Sequence, residues 1–115
     1  MNILSINSCG MKKRHKRVWI KDLCFKHNVH FIGAQETKMT RLELFRLKSM
    51  WGNFNFNYAC SMARGRSGGL ISVWDPNVFV KDNIWCDESF IIVKGLYIFK
   101  TLTRPEVRTG QVSSA

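Results

Sequence analysis

No apolar run in this sequence approaches the ~18–20 residues needed to cross a bilayer. The opening residues, Met1 to Asn7, are too short and too polar for a signal peptide. The basic stretch follows them, where a signal peptide needs it first. Nothing marks secretion, and a nuclear or cytoplasmic location is expected. The four cysteines (Cys9, Cys24, Cys60, Cys86) contain no Cys-x-x-Cys pair, which favours reduced thiols over a disulfide framework. His27 and His30 have no cysteine at zinc-finger spacing. Internal repeats are absent, as is the Gly-Lys-Ser/Thr ending of a phosphate-binding P-loop. Acidic residues are scarce: 8 Asp/Glu face 18 Lys/Arg, for a net charge of +10. That imbalance points to a polyanionic partner, most simply nucleic acid or an anionic membrane surface.

What is present suits one globular domain. The chain has 115 residues, 45% of them hydrophobic, enough for a core of modest size. The charge is local: residues 1–50 carry 11 Lys/Arg against 3 Asp/Glu, and residues 51–115 carry 7 against 5. Residues 3–7 read as a short buried strand. A turn at 8–10 leads into the densest charge in the chain, Lys12-Lys13-Arg14-His15-Lys16-Arg17. An amphipathic helix is predicted over about 14–28, with Val18, Trp19, Leu23 and Phe25 toward the core and i,i+4 pairs Trp19/Leu23 and Ile20/Cys24. A second buried strand follows over 30–35, ending at Glu36. A second helix is predicted over 40–51, with Thr40 and Glu43 as a capping box and Gly52 closing it.

Beyond Gly52 the pattern turns to strands. Phe54, Phe56 and Tyr58 alternate with Asn55 and Asn57, and further strands are expected over 70–74, 78–81 and 90–94. The four tryptophans lie within apolar runs and read as core. Residues 101–115 are polar and aperiodic and read as a disordered tail. The order β-α-β-α followed by a meander predicts a mixed α/β (α+β) sandwich, with residues 1–100 as the folded part.

Asn7 and Glu36 each end an apolar run. In parallel strands joined by one helix those ends lie side by side, where ligand crevices form. An amide beside a carboxylate suits Mg²⁺, a hard cation held by few protein oxygens plus water and phosphate. The same two residues also read as a turn and a solvated strand end. Gly65-Arg66-Ser67-Gly68-Gly69 has the letters of a serine-hydrolase elbow, but that elbow needs a helix after it and here a strand follows, so a tight turn is expected. Cations are unfavourable at a helix N-terminus, so the run at 12–17 makes little sense as a helix start. It reads as a phosphate-contacting patch of Lys12, Lys13, Arg14, Lys16 and Arg17 or as a nuclear-import signal, with Arg64 and Arg66 of the glycine turn able to add contacts.

These residues also carry a resemblance. Asn2-Ile3-Leu4-Ser5-Ile6-Asn7, Gly10, the basic helix start, Trp19 and Phe31-Ile32-Gly33-Ala34-Gln35-Glu36-Thr37-Lys38 resemble the N-terminal part of the endonuclease/exonuclease/phosphatase superfamily. The likeness is greatest to the endonuclease domain of plant LINE-type (non-LTR) retrotransposon proteins. Trp51-Gly52, Ser67-Gly68-Gly69-Leu70 and Val73-Trp74-Asp75 extend it to about residue 95. The resemblance implies the first half of a four-layer α/β sandwich that cleaves phosphodiesters or phosphomonoesters with Mg²⁺. Glu36 would be the metal-binding glutamate and Asn7 the asparagine that positions the metal and its network. DNA is the implied partner, with no membrane.

The family's later apparatus has no counterpart here: a catalytic tyrosine, an Asp-x-Asn pair and a late Asp-His pair. Nor does an Asn-x-Tyr-Ala-Pro strand follow Gly95. The sequence therefore predicts a truncated, incomplete fold, inactive alone, with one sheet lacking its covering layer and open to association with another chain. Two other readings remain open: a non-enzymatic basic nucleic-acid-binding module, and a functionless retroelement remnant.

Overall fold

Two short apolar runs flanking one amphipathic segment can bury their backbones as a parallel βαβ unit, and the chain adopts it. The computed structural model describes residues 1–64, 67–100 and 105–114. Strand β1 (Ile3–Asn7) leads through helix α1 (Arg14–Lys26) to strand β2 (Phe31–Gln35), with Ile3 opposite Phe31 and Asn7 opposite Gln35. Helix α2 (Leu44–Trp51), strand β3 (Asn57–Ser61) and strand β4 (Leu70–Trp74) follow. β4 pairs antiparallel with both β2 and β3, giving the order β1-β2-β4-β3. A second sheet, order β5-β6-β7, is built from β5 (Phe79–Cys86), β6 (Ile91–Lys100) and β7 (Pro105–Ser114).

Side-chain alternation sorts the first sheet into two faces. Leu4, Ile6, Ile32, Ala34, Ile71 and Val73 face the helices, where they meet Ile20, Cys24, Leu47 and Met50. Phe31, Ala59, Leu70 and Trp74 face the second sheet and pack on Phe79, Ile91 and Val93. Phe31 stacks on Trp74 with centroids 5.5 Å apart, and the Phe79 edge meets both rings at 5.6 and 6.1 Å. The molecule is thus a layer of helices, a mixed four-stranded sheet and a three-stranded sheet.

Several expectations change. The inner face of the first sheet does have a covering layer: β5, β6 and β7 lie against β2, β3 and β4. Among the described residues coverage is lacking at β1, where Ile3, Ser5 and Asn7 stay exposed. The missing signal was the length of β5 and β6, whose central polar residues broke the apolar pattern. The tail expected to be disordered is, over Pro105–Ser114, strand β7 paired along the whole of β6. A strand added to an open edge is held by backbone hydrogen bonds and needs no apolar periodicity of its own.

Helix α2 begins at Leu44 and not at Thr40. Residues 37–39 form no helix, with Thr37 and Met39 fully buried and Met39 O accepting from Ala63 N at 2.7 Å. Glu43 makes no capping box with Thr40, because Arg41 and Arg46 claim its carboxylate at 3.3 and 3.4 Å. β3 starts at Asn57, where its partner β4 ends, so Phe54 is left outside the ladder. On α1 the buried residues are Arg17, Ile20 and Cys24, which fall within about 60° of arc. The expected apolar set is too widely spread around the helix to bury together, and Trp19 and Phe25 are 51% and 90% exposed. Of the four tryptophans only Trp74 is fully buried.

Candidate functional site

The parallel β1–β2 register brings Asn7 and Glu36 to the same end of adjacent strands. Beyond that end three segments are laced together by backbone hydrogen bonds. Ser8 N, Gly10 N and Met11 N donate to the carbonyls of Gln35, Glu36 and Thr37 at 2.9, 2.7 and 2.9 Å. Thr37 N and Lys38 N donate in turn to Gly69 O and Gly68 O at 3.2 and 2.9 Å. The buried Ser8 hydroxyl donates to Gln35 O and Glu36 O at 2.9 and 3.1 Å. The glycine segment is therefore a brace for the Glu36 loop. No helix follows it, so the hydrolase elbow is absent.

The lacing bends the backbone. Cys9, Glu36 and Lys38 hold φ of 51°, 53° and 56°. These conformations are unfavourable for residues with a Cβ, and they gather where function over-determines the chain. The Glu36 carboxylate is half-buried, with Oε2 accepting from Gly68 N at 3.2 Å. The Asn7 side chain is exposed and its Oδ1 accepts from Cys9 N at 3.2 Å and from the Cys9 thiol at 3.5 Å. Among the described residues no group of three or more His, Cys, Asp or Glu is arranged to hold a metal. The donors at this end are one amide oxygen and one carboxylate, both hard. That set fits an ion such as Mg²⁺, which keeps most of its waters and takes one or two protein oxygens.

Beside the strand ends lies a cleft of about 450 Å³, floored by the Cys9–Gly10 turn and walled by Lys12, Lys13, His15, Lys16 and Lys38. Among the described residues the ion pairs are Arg41–Glu43, Arg46–Glu43 and Arg64–Glu88, so these lysines are unneutralised. Lys13 occupies the α1 N-cap with no side-chain cap, and no acid sits in the first turn. The helix start thus forgoes both usual stabilisers in favour of positive charge. Lys38 escaped the reading of charge runs because it stands alone in sequence. Its place directly after Gln35-Glu36-Thr37 was the signal that could have found it.

The other basic assignments divide. Lys12, Lys13 and Lys16 line the cleft, and Arg14 is exposed at the helix start. Arg64 is paired with Glu88 at 3.1 Å and does not line the cleft. Arg66 lies outside the described residues. Arg17 is a correction. It is 7% exposed, and its guanidinium donates to Ser49 Oγ at 2.7 Å, Met11 O at 2.9 Å and Lys12 O at 2.6 Å. Burial, then Arg46 and Arg14, push its pKa below the ordinary arginine value. It ties the basic loop to α2 from beneath and has no face left for a ligand. Arg17→Ala is expected to cost about 2–3 kcal/mol of stability, since it strands two carbonyls and a hydroxyl. Lys16→Ala should leave urea unfolding nearly unchanged, and equal midpoints for the two variants would refute this assignment.

The architecture is similar to that of the catalytic domain of Xenopus laevis APE2, at a TM-score of 0.62 and 16% identity. The fold is a partial endonuclease/exonuclease/phosphatase fold. The likeness covers 96% of this chain and 44% of the APE2 chain, so the protein spans less than half the length of that neighbour. No family model matches the sequence, and no curated protein sequence matches it. In this partial fold the helices, the mixed sheet and a second sheet are all recognisable. Asn7 and Glu36 stand at the strand ends of its opening βαβ unit.

Proposed function

We propose that this chain is the metal-and-phosphate-binding first half of a Mg²⁺-dependent phosphodiesterase domain acting on DNA, with little or no cleavage activity by itself. The observation that carries this reading is the adjacency at one sheet end of Asn7, a braced Glu36 and a cleft of unneutralised lysines. The partial endonuclease/exonuclease/phosphatase fold and the surplus of cations make DNA the first polyanion to try. Asn7 and Glu36 would hold the ion. Once bound, Mg²⁺ would polarise a phosphate oxygen and stabilise charge on the leaving oxygen. The chain's own residues do the remaining work: Gly68 N–H orients the Glu36 carboxylate, and Lys12, Lys13, Lys16 and Lys38 neutralise phosphates. The Asp-x-Asn and late Asp-His pairs that the resemblance would require to activate water have no counterpart in this sequence, and losing general base catalysis alone removes about 10²–10⁴ in rate.

The unneutralised lysines also support a second reading, a binding module with no chemistry. Two measurements test both. Duplex DNA affinity should fall with salt at a log–log slope near −4, at about −0.9 per phosphate contact, and joint Lys12, Lys13 and Lys16 to Ala replacement should flatten it. A flat dependence in the native chain would dismiss both readings. Mg²⁺ titration should shift the backbone amides of residues 7–10 and 35–38 in the native chain but not in Glu36→Ala. Failure of that shift would leave the binding module alone. Plasmid nicking by the native chain that Glu36→Ala abolishes would overturn the half-site reading.

A further inference from the structure

An exposed tryptophan on a basic helix is the feature the fold least explains. Trp19 is 51% exposed, although Ile20 beside it is fully buried. It belongs to neither hydrophobic cluster. Side chains on a helix lean toward its N-terminus, which carries the Trp19 ring back over the preceding turn, and a shallow concavity of about 310 Å³ opens there between His15, Lys16 and Trp19. His15 and Lys16 also wall the lysine cleft, so the two concavities adjoin at those residues. The only acid on α1 is Asp22, and no ion pair among the described residues involves His15 or Lys16.

An aromatic face next to uncompensated cations is the arrangement that binds single-stranded nucleic acid. The phosphates take the cations and an unpaired base takes the ring. We infer that Trp19 is a stacking platform for an unpaired base whose flanking phosphates lie in the lysine cleft, so that the chain prefers single-stranded or frayed DNA to closed duplex. This rests on the polyanion-binding reading of the same cleft and adds the state of the strand that the cleft accepts. Duplex bases are stacked on one another and cannot offer a free face to Trp19. A sulfated polysaccharide offers charge and no base at all. The three ligands therefore separate stacking from charge.

Binding of a 20-nucleotide oligothymidylate, a 20-base-pair duplex and heparin is measured by anisotropy or competition, at one salt concentration. Stacking on an aromatic is worth roughly a tenfold or larger change in affinity per base. Trp19→Ala should weaken oligothymidylate binding by about that factor while leaving heparin and duplex within about twofold. Trp19→Phe should restore most of the loss. Oligothymidylate should quench tryptophan fluorescence in the native chain, and less so in Trp19→Phe. Because Trp19 is exposed, its variants should melt with the native chain, which a parallel thermal scan checks. An unchanged oligothymidylate affinity in Trp19→Ala, or an equal loss on heparin, overturns the stacking assignment. If Trp19→Ala has no effect but the triple lysine variant weakens all three ligands, stacking falls and the cleft reading stands. If the lysine variant changes nothing, the cleft reading falls with it.

Discussion

Trp74→Ala is expected to lower the stability of the fold by about 3–5 kcal/mol, a large share of the ~5–15 kcal/mol available to a domain. Trp74 is the largest fully buried side chain; it stacks on Phe31 within its own sheet and meets Phe79 of the second sheet edge to face. Truncation removes that area and leaves a cavity against Phe31 and Phe79. Trp74→Phe should cost much less than truncation to Ala. The indole N–H is buried without a hydrogen-bond partner among the described residues, so deleting it removes an unsatisfied donor and offsets part of the lost packing. Urea unfolding of the two variants measures both numbers. A cost below about 1 kcal/mol for Trp74→Ala would mean that the seam between the sheets is not the main core, against the usual effect of such truncations.

That seam explains why only part of the fold was readable in the sequence. The βαβ unit was legible because β1 and β2 are apolar runs with chain punctuation at both ends, and α1 starts and stops within two residues of its expected bounds. The position of Asn7 and Glu36 at neighbouring strand ends was legible for the same reason: strand ends are visible once strands are. The second sheet was legible only in part: the strands expected over 78–81 and 90–94 fall on β5 and β6, but their full length did not show, because β5 presents Val80, Lys81, Asp82 and Asn83 to solvent and buries only Phe79 fully. A strand that contributes so few side chains to the core leaves no alternation to read. Arg17 was misread because a buried arginine and a solvated one look the same in a run of cations. Only the positions of Ile20 and Cys24, one and two turns further on, set Arg17 on the inner face. Such a residue is recognised by the helix face it falls on, once the core face of the helix is known.

The site end of the sheet rests on tertiary lacing that no sequence pattern announces, and Gly69 is where that lacing is tightest. Gly69→Ala is expected to cost about 3–4 kcal/mol, combining backbone strain with overpacking. Gly69 holds φ at +94°, and a Cβ there would overlap the hydroxyl of Thr37 and come within 3.3 Å of Lys38 N and 3.4 Å of Ala63 N. Thr37 is fully buried and has no room to retreat. Gly68→Ala is the control. Its φ of +80° carries the same kind of backbone penalty, but a Cβ there meets nothing within 4 Å, so about 1–2 kcal/mol is expected. The difference between the two urea midpoints isolates the steric term. The consequence would reach the proposed metal site, because Gly68 N–H holds Glu36 Oε2 and the Gly69 carbonyl holds Thr37 N. A turn pushed away by the new methyl releases the carboxylate from its brace. In Gly69→Ala the Mg²⁺-induced shifts at residues 35–38 should therefore need higher metal concentration, while Gly68→Ala, which keeps its N–H, should titrate like the native chain. Matching midpoints and matching titrations in the two variants would show that the glycine turn merely connects β3 to β4 and does not position Glu36.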